Sequence, residues 1–343
     1  MLKEVIGNLL EANAEALVNT VNTVGVMGKG IALQFRQAFP ENYQAYQKAC
    51  KHNEVKPGHM FVYKTGLLTN PRFIINFPTK RHWMEKARME DIKSGLRDLM
   101  AIIKREGIRS VAVPPLGCGS GGLDWNKVCV EIKAALKPLS DVQILLYAPA
   151  GAPAPEKMKV RTQRPNMTPG RAVLLEVLKN YAMPGYRLAL LEVQKLAYFV
   201  QEAGQSLNLQ FAKAKYGPYT ETLHHVLQRM EGHFIRGYGD RSRSASIQFL
   251  PGAIKEADDF LSEHPEIINR LKRVSQLIKG FETPYGLELL STVHWLAKED
   301  PRVKTDINVA IDDLQAWSER KKQLFRPSHI KAAWLKLQKE GWI

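Results

Sequence analysis

The chain has 343 residues, 45% of them hydrophobic, and a formal net charge of +15. Its length suits about two domains of ~150 residues, no apolar run approaches the ~18 residues of a membrane span, and the opening Met1-Leu-Lys-Glu has no signal-peptide layout. Three cysteines (Cys50, Cys118 and Cys129), without Cys-x-x-Cys spacing, argue against a disulfide framework or a structural zinc site and for reduced thiols in a cytoplasm.

In chain order, Lys3–Ile6 reads as a first strand and Ala16–Asn19 as a second, buried one. A helix from about Gly30 to Phe39 stops at Pro40, and Glu41–His52 has helical composition. His59–Lys64 and Arg72–Phe77 read as strands joined by a turn with Gly66, Asn70 and Pro71. Met89–Glu106 repeats apolar residues at a helical period. Strands at Val111–Pro114 and Val142–Ala148 flank a helix at Trp125–Leu136. Alternating strands and helices imply α/β architecture with a largely parallel sheet covered on both faces, and ligands at the strands' carboxyl ends. Residues 149–165, rich in Pro and Ala and then basic, read as a linker.

The second half is mostly α. Thr168 is an expected N-cap with Pro169 at N1. A helix over Leu188–Ala203 ends at Gly204, Ala214–Tyr219 forms a tight turn, and a helix covers Thr220–Met230. A short strand is expected at Ile247–Leu250, with further helices at Pro251–His264, Ile267–Phe281, Pro284–Ala297, Ile307–Trp317 and Pro327–Gly341.

Chemistry concentrates in two stretches. In Ala14–Phe35 a strand passes Asn19 and Asn22, then glycines at 25, 28 and 30, then a helix. In Ser110–Trp125 a strand again runs into glycines ahead of a helix. Strand, glycine loop and helix N-terminus offer backbone N–H groups to an anion. Two such loops suggest one elongated ligand with two phosphates. Both halves are basic: residues 1–155 carry 20 Lys and Arg against 13 Asp and Glu, the remainder 29 against 21. A polyanionic substrate or partner would gain from that charge, although solubility alone would account for it too. No acidic pair at ligand spacing, no His-x-x-x-His and no Gly-x-x-x-x-Gly-Lys-Ser/Thr occurs, which argues against a metal-dependent hydrolase and an NTPase.

Asn19-Thr-Val-Asn22, Gly25-Val-Met-Gly-Lys-Gly-Ile31, Asn76-Phe-Pro-Thr-Lys80 and Leu116-Gly-Cys-Gly-Ser-Gly-Gly-Leu-Asp-Trp125 resemble the ligand loops of a macrodomain, in the branch holding terminal ADP-ribose glycohydrolases and DarG-type antitoxins. The resemblance covers residues 1–155, with 156–167 as linker and 168–343 as a mostly helical domain. It implies a mixed six-stranded sheet between helices, hydrolysis of an ADP-ribose–base bond on DNA (thymidine the expected base), no cofactor, no metal, and neutralisation of a DarT-type toxin partner.

The resemblance places ADP-ribose against Asn8, Leu9, Thr20, Val21, Asn22, Gly28, Gly30, Ile31, Ala32, Thr79, Gly117, Cys118, Gly119, Ser120, Gly121 and Gly122. Asn8 replaces the Asp that pairs with adenine in many macrodomains. An amide still accepts from the adenine amino group. Gly121 stands where protein-directed relatives carry an Asp, and Asp124 reads as a helix N-cap rather than a catalytic acid. Cys118 reads as a small loop residue rather than a nucleophile, having no neighbouring His in sequence. Lys80 is the catalytic candidate. Neighbouring Arg81 and His82 and partial burial all disfavour its charge. A neutral amine would attack the distal ribose carbon and form a Schiff-base-type intermediate. A charged one would stabilise the leaving base or orient water. Lys29 is a candidate phosphate contact, and His82, Trp83 and Tyr43 are candidate stacking groups for the base.

In the second half, Gln194-Lys-Leu-Ala-Tyr-Phe-Val-Gln201 and Lys215-Tyr-Gly-Pro-Tyr-Thr220 resemble a helical antitoxin domain, sometimes called Panacea. Two other readings stand beside the enzyme: an ADP-ribose reader without turnover, and a regulator whose last helices form a DNA-binding helix-turn-helix.

Overall fold

The computed structural model describes all residues except Pro184, Ser242 and Arg243, and separates them into two units. The first holds residues 1–163 with Gly239, Asp240 and Arg241, the second Arg164–Tyr238 and Ser244–Ile343.

The first unit runs β1 (Leu2–Val5), β2 (Ala16–Val21), α1 (Gly30–Ala38), α2 (Pro40–Lys51), β3 (Phe61–Lys64), β4 (Phe73–Pro78), α3 (Met89–Arg105), β5 (Ser110–Val113), α4 (Trp125–Leu136) and β6 (Gln143–Tyr147). The strands form one sheet in the order β1-β6-β5-β2-β4-β3, parallel except for the β3–β4 pair. β2 and β4 are buried at almost every position, as unalternated apolar runs in the middle of a parallel sheet must be. One face packs Ile92, Leu96, Leu99 and Ile103 of α3 and Val128 and Ile132 of α4. The other packs Leu9, Leu10, Phe35 and Ala38. This is the expected mixed sheet between helices. The stretch read as linker is not free chain in its first part: Met158 is buried, Lys159 Nζ donates to the Leu10 carbonyl (2.9 Å) and the Arg161 amide donates to Gln37 (2.8 Å).

The second unit contains α5 (Pro169–Tyr181), α6 (Leu190–Glu202), β7 (Ala212–Ala214), β8 (Gly217–Tyr219), α7 (Thr222–Met230), β9 (Ile235–Arg236), β10 (Gln248–Phe249), α8 (Ala253–Ser262), α9 (Pro265–Ile278), α10 (Pro284–Glu299), α11 (Arg302–Thr305), α12 (Ile307–Trp317), α13 (Glu319–Leu324) and α14 (Pro327–Lys339). α10 is its axis, apolar on almost every side (Leu287, Leu289, Leu290, Val293, Ala297) and therefore enclosed. Thr168 precedes α5 as expected, but its side chain makes no cap bond. The expected turn at Ala214–Tyr219 is the tip of the β7–β8 hairpin. Between α12 and α14 lies α13, so no short turn joins them as a helix-turn-helix requires.

Candidate active site

The first loop leaves β2 at Val21 and folds around one side chain. Asn22 Oδ1 accepts from the amides of Val24 (3.0 Å) and Val26 (3.2 Å) and from the Tyr46 hydroxyl (3.2 Å), while Asn22 Nδ2 donates to the Val26 carbonyl (2.6 Å). A short amide can do this because it both donates and accepts. The residue expected to hold the ribose is thus the organiser of its own loop. Beneath it, Asn19 Nδ2 donates to Asn76 Oδ1 (2.9 Å), and Asn76 exchanges bonds with Asn42 (2.7 and 3.4 Å). This buried amide chain ties β2, β4 and α2 together. Tyr46 and Asn42 were not singled out in the sequence. Their signal was the four-residue spacing that puts Asn42 on the face of α2 that buries Tyr46.

α1 begins at Gly30 (φ +60°) behind Lys29, whose side chain does not cap it. Ile31 and Ala32 follow in the first turn, where amides have no intrahelical acceptor and face an anion readily. The Gly30 amide donates to the Asp240 carbonyl (2.8 Å), so of the expected phosphate donors it already has a protein partner. Asn8 Oδ1 accepts from the Leu10 amide (3.1 Å) and caps the short 3-10 turn Leu9–Glu11. The Thr79 amide donates to Val21 (2.9 Å), which holds Thr20, Val21 and Thr79 at one end of the sheet.

The second loop, between β5 and α4, closes on itself. The Leu123 amide donates to Gly117 (3.1 Å), Gly122 to Gly119 (3.1 Å) and Cys118 to Pro115 (3.1 Å). Gly117 and Gly122 have φ of +71° and +76°. Gly121 is a glycine for a different reason: a Cβ there would lie 2.3 Å from the Gly117 carbonyl oxygen and 2.8 Å from Ala87 Cβ. No side chain fits, so an Asp cannot stand at this position in this loop. Asp124 accepts from the Lys127 amide (3.0 Å) and caps α4, as expected. Burial, Asp124 and Cys129 push the Cys118 thiol up to about 11, the opposite of what a thiolate nucleophile needs.

Lys80 reaches the second loop. It follows β4 directly, and its Nζ donates to the Ser120 carbonyl (2.7 Å). Its pKa lies below the ordinary lysine value because burial disfavours the charge. The expected push from neighbouring cations is not what acts here: the Arg81 guanidinium is drawn to Asp91 (3.2 Å). Among the described residues no group of three or more His, Cys, Asp or Glu could hold a metal ion, and no helix is long and apolar enough to cross a membrane.

Residues 18–132 match the Macro domain family model. A DNA ADP-ribosyl glycohydrolase of Thermus aquaticus is 49% identical over 341 residues, covering 99% of this chain and 94% of its own. The solved macrodomain of Thermus aquaticus DarG is 57% identical and covers 43% of this chain and 99% of that one, with a TM-score of 0.43. A Thermosipho africanus protein described as a DNA ADP-ribosyl transferase–DNA ADP-ribosyl glycohydrolase fusion is 37% identical over 163 residues, 43% of this chain and 42% of its own. Likeness sustained along nearly the whole chain, with a macro domain matched over residues 18–132, means that the chain belongs to the DarG-type DNA ADP-ribosyl glycohydrolase family.

Proposed function

We propose that the chain removes ADP-ribose from thymidine in DNA, with Lys80 as the catalytic group and the two glycine loops as the pyrophosphate cradle. The observation that carries this is the Lys80 amine itself, half-buried at the end of β4 and reaching the carbonyl of Ser120 in the second loop. The net reaction adds water across the bond from the distal ribose C1″ to the base: hydroxyl to the carbon, proton to the base. In the covalent route the neutral amine displaces the base, the ribose ring opens to an iminium, and water returns the lysine. In the other route a charged Lys80 stabilises the departing base while water attacks the oxocarbenium-like carbon. The Asn8 amide would face the adenine, and Asn22 the distal ribose.

Single-turnover release of ADP-ribose from modified single-stranded DNA tests the assignment. Lys80→Ala should lower the rate at least ~100-fold, the scale on which positioned acid–base or nucleophilic groups contribute, while ADP-ribose still binds. An unchanged rate would remove Lys80 from the chemistry. Borohydride trapping of a protein–ribose adduct separates the two routes.

We further propose that residues 168–343 bind and mask a DarT-type toxin. Support comes from the fused transferase of the Thermosipho africanus relative and from the Gln194-Lys195 and Lys215–Thr220 motifs, whose residues meet in space. Gln194 bonds the Thr220 backbone twice (2.8 and 3.1 Å), and Lys195 Nζ donates to Pro218 (2.6 Å). The full chain should co-elute with such a toxin even when Lys80 is alanine. Failure to co-elute would sink the masking role.

A further inference from the structure

Residues 80–88, Lys-Arg-His-Trp-Met-Glu-Lys-Ala-Arg, form a strap fastened to both glycine loops. At its start Lys80 Nζ holds Ser120 (2.7 Å), and the Arg81 carbonyl accepts from Thr23 Oγ1 (2.6 Å) in the first loop. At its end the Ala87 amide donates to Gly121 (3.0 Å) in the second loop. Internal bonds keep it compact: Glu85 amide to the His82 carbonyl (3.1 Å), Met84 amide to His82 Nδ1 (3.3 Å). The strap therefore runs from one loop to the other beside the reacting lysine.

What it displays is unusual for a surface turn. Trp83 is 52% exposed and Met84 70% exposed, and in the first loop Val24 and Val26 are exposed as well. The His82 ring lies 5.4 Å from that of Trp83 and backs it. Around these apolar groups the exposed cations Lys86 and Arg88 outnumber the one exposed carboxylate of the strap, Glu85. Aromatic surface alternating with cations is the arrangement that grips single-stranded nucleic acid, where every base has a face to stack and every phosphate a charge to neutralise. A bare ADP-ribose pocket needs neither.

We propose that this strap is the subsite for the DNA strand: Trp83, steadied by His82, stacks on the nucleotide flanking the modified one, and Lys86 and Arg88 meet its phosphates. The inference rests on the DNA-directed reading of the site.

The test uses full-length wild type, Trp83→Ala and Trp83→Phe. Their substrates are a singly ADP-ribosylated single-stranded oligonucleotide and the ADP-ribosylated nucleoside. Trp83→Ala should raise KM for the oligonucleotide about tenfold, leave kcat and the nucleoside KM alone, and leave ADP-ribose binding by calorimetry unchanged. Trp83→Phe should restore most of the loss. An equal loss on both substrates would overturn the proposal by making Trp83 part of the pocket's structure, as would no loss on either. If wild type hydrolyses neither substrate, the activity reading has failed. Anisotropy with an unmodified oligonucleotide then decides: weakening by Trp83→Ala supports the strap, and no change overturns it. Loss of toxin binding with unchanged oligonucleotide binding would overturn it too, assigning the face to a protein partner.

Discussion

Burial keeps the Lys80 amine at the end of β4 below the ordinary lysine pKa of ~10.4, so the two proposed routes differ in their pH dependence. The neutral fraction grows as pH rises, so on the covalent route kcat should climb from pH 7 and level off at the lowered pKa. A rate that falls over the same range would show that the cation is the working form. Lys80 was singled out by the resemblance of Asn76-Phe-Pro-Thr-Lys80, and the Asp124 cap was legible from cap chemistry. The loop-organising role of Asn22 was not legible, because its bonds run to Val24, Val26 and Tyr46, the last of these in another element. Gly121 was legible as a departure from relatives. Its steric cause, the Gly117 carbonyl 2.3 Å from where a Cβ would sit, required coordinates.

Among elements, the β7–β8 hairpin shows how a motif of uncertain meaning becomes physical. Gly217 (φ +90°) has no room for a side chain, since a Cβ would come within 2.7 Å of Thr292 Oγ1. Behind it Glu288 of α10 takes Arg320 in two bonds (2.6 and 3.0 Å) and the fully buried Lys321 (2.8 Å). These two partners hold the Glu288 carboxyl below the usual range despite burial. Glu288→Ala would strand Lys321 without a counter-charge, and urea unfolding at pH 7 should show a loss of about 3–5 kcal/mol. Because the folded pKa is depressed, this stabilisation is present above the ordinary glutamate value of ~4.3 and lost as pH falls through the folded pKa, so mutant and wild type should converge in acid. The long helices were readable from their apolar period. α11 and α13 were not: four and six residues are too few to show one, and α13 reads as a charged run, Glu-Arg-Lys-Lys, until Lys321 is seen turned inward. That inward lysine also removes part of the charge on which a DNA-reading surface at α12–α14 was expected to rest.

At the scale of the whole molecule, each unit has a polar centre with a different job. In the first it is an amide chain (Asn19, Asn42, Asn76) that sets loops; in the second it is an ion cluster (Glu288, Arg320, Lys321) under a hairpin. Composition pointed to two basic halves, which suit either a polyanion or solubility alone. It did not say where the charge lies, and the strap at residues 80–88 accounts for some of it while Lys321 is buried. The division of the chain followed from the change from alternating strands and helices to helices alone. The linker was harder to delimit, because Met158 and Arg161 pack on the first unit although their surroundings in sequence are Pro-rich and polar.

Cys118 has a consequence for durability. Burial, Asp124 and Cys129 push its thiol up to about 11, so far less of it is thiolate near neutral pH than of an unperturbed cysteine. Peroxide and alkylating agents react with the thiolate, so a cysteine in the middle of the second glycine loop is chemically quiet. ADP-ribose release should therefore survive peroxide treatment that would modify a reactive thiol at the same position, and an activity assay before and after such treatment checks it.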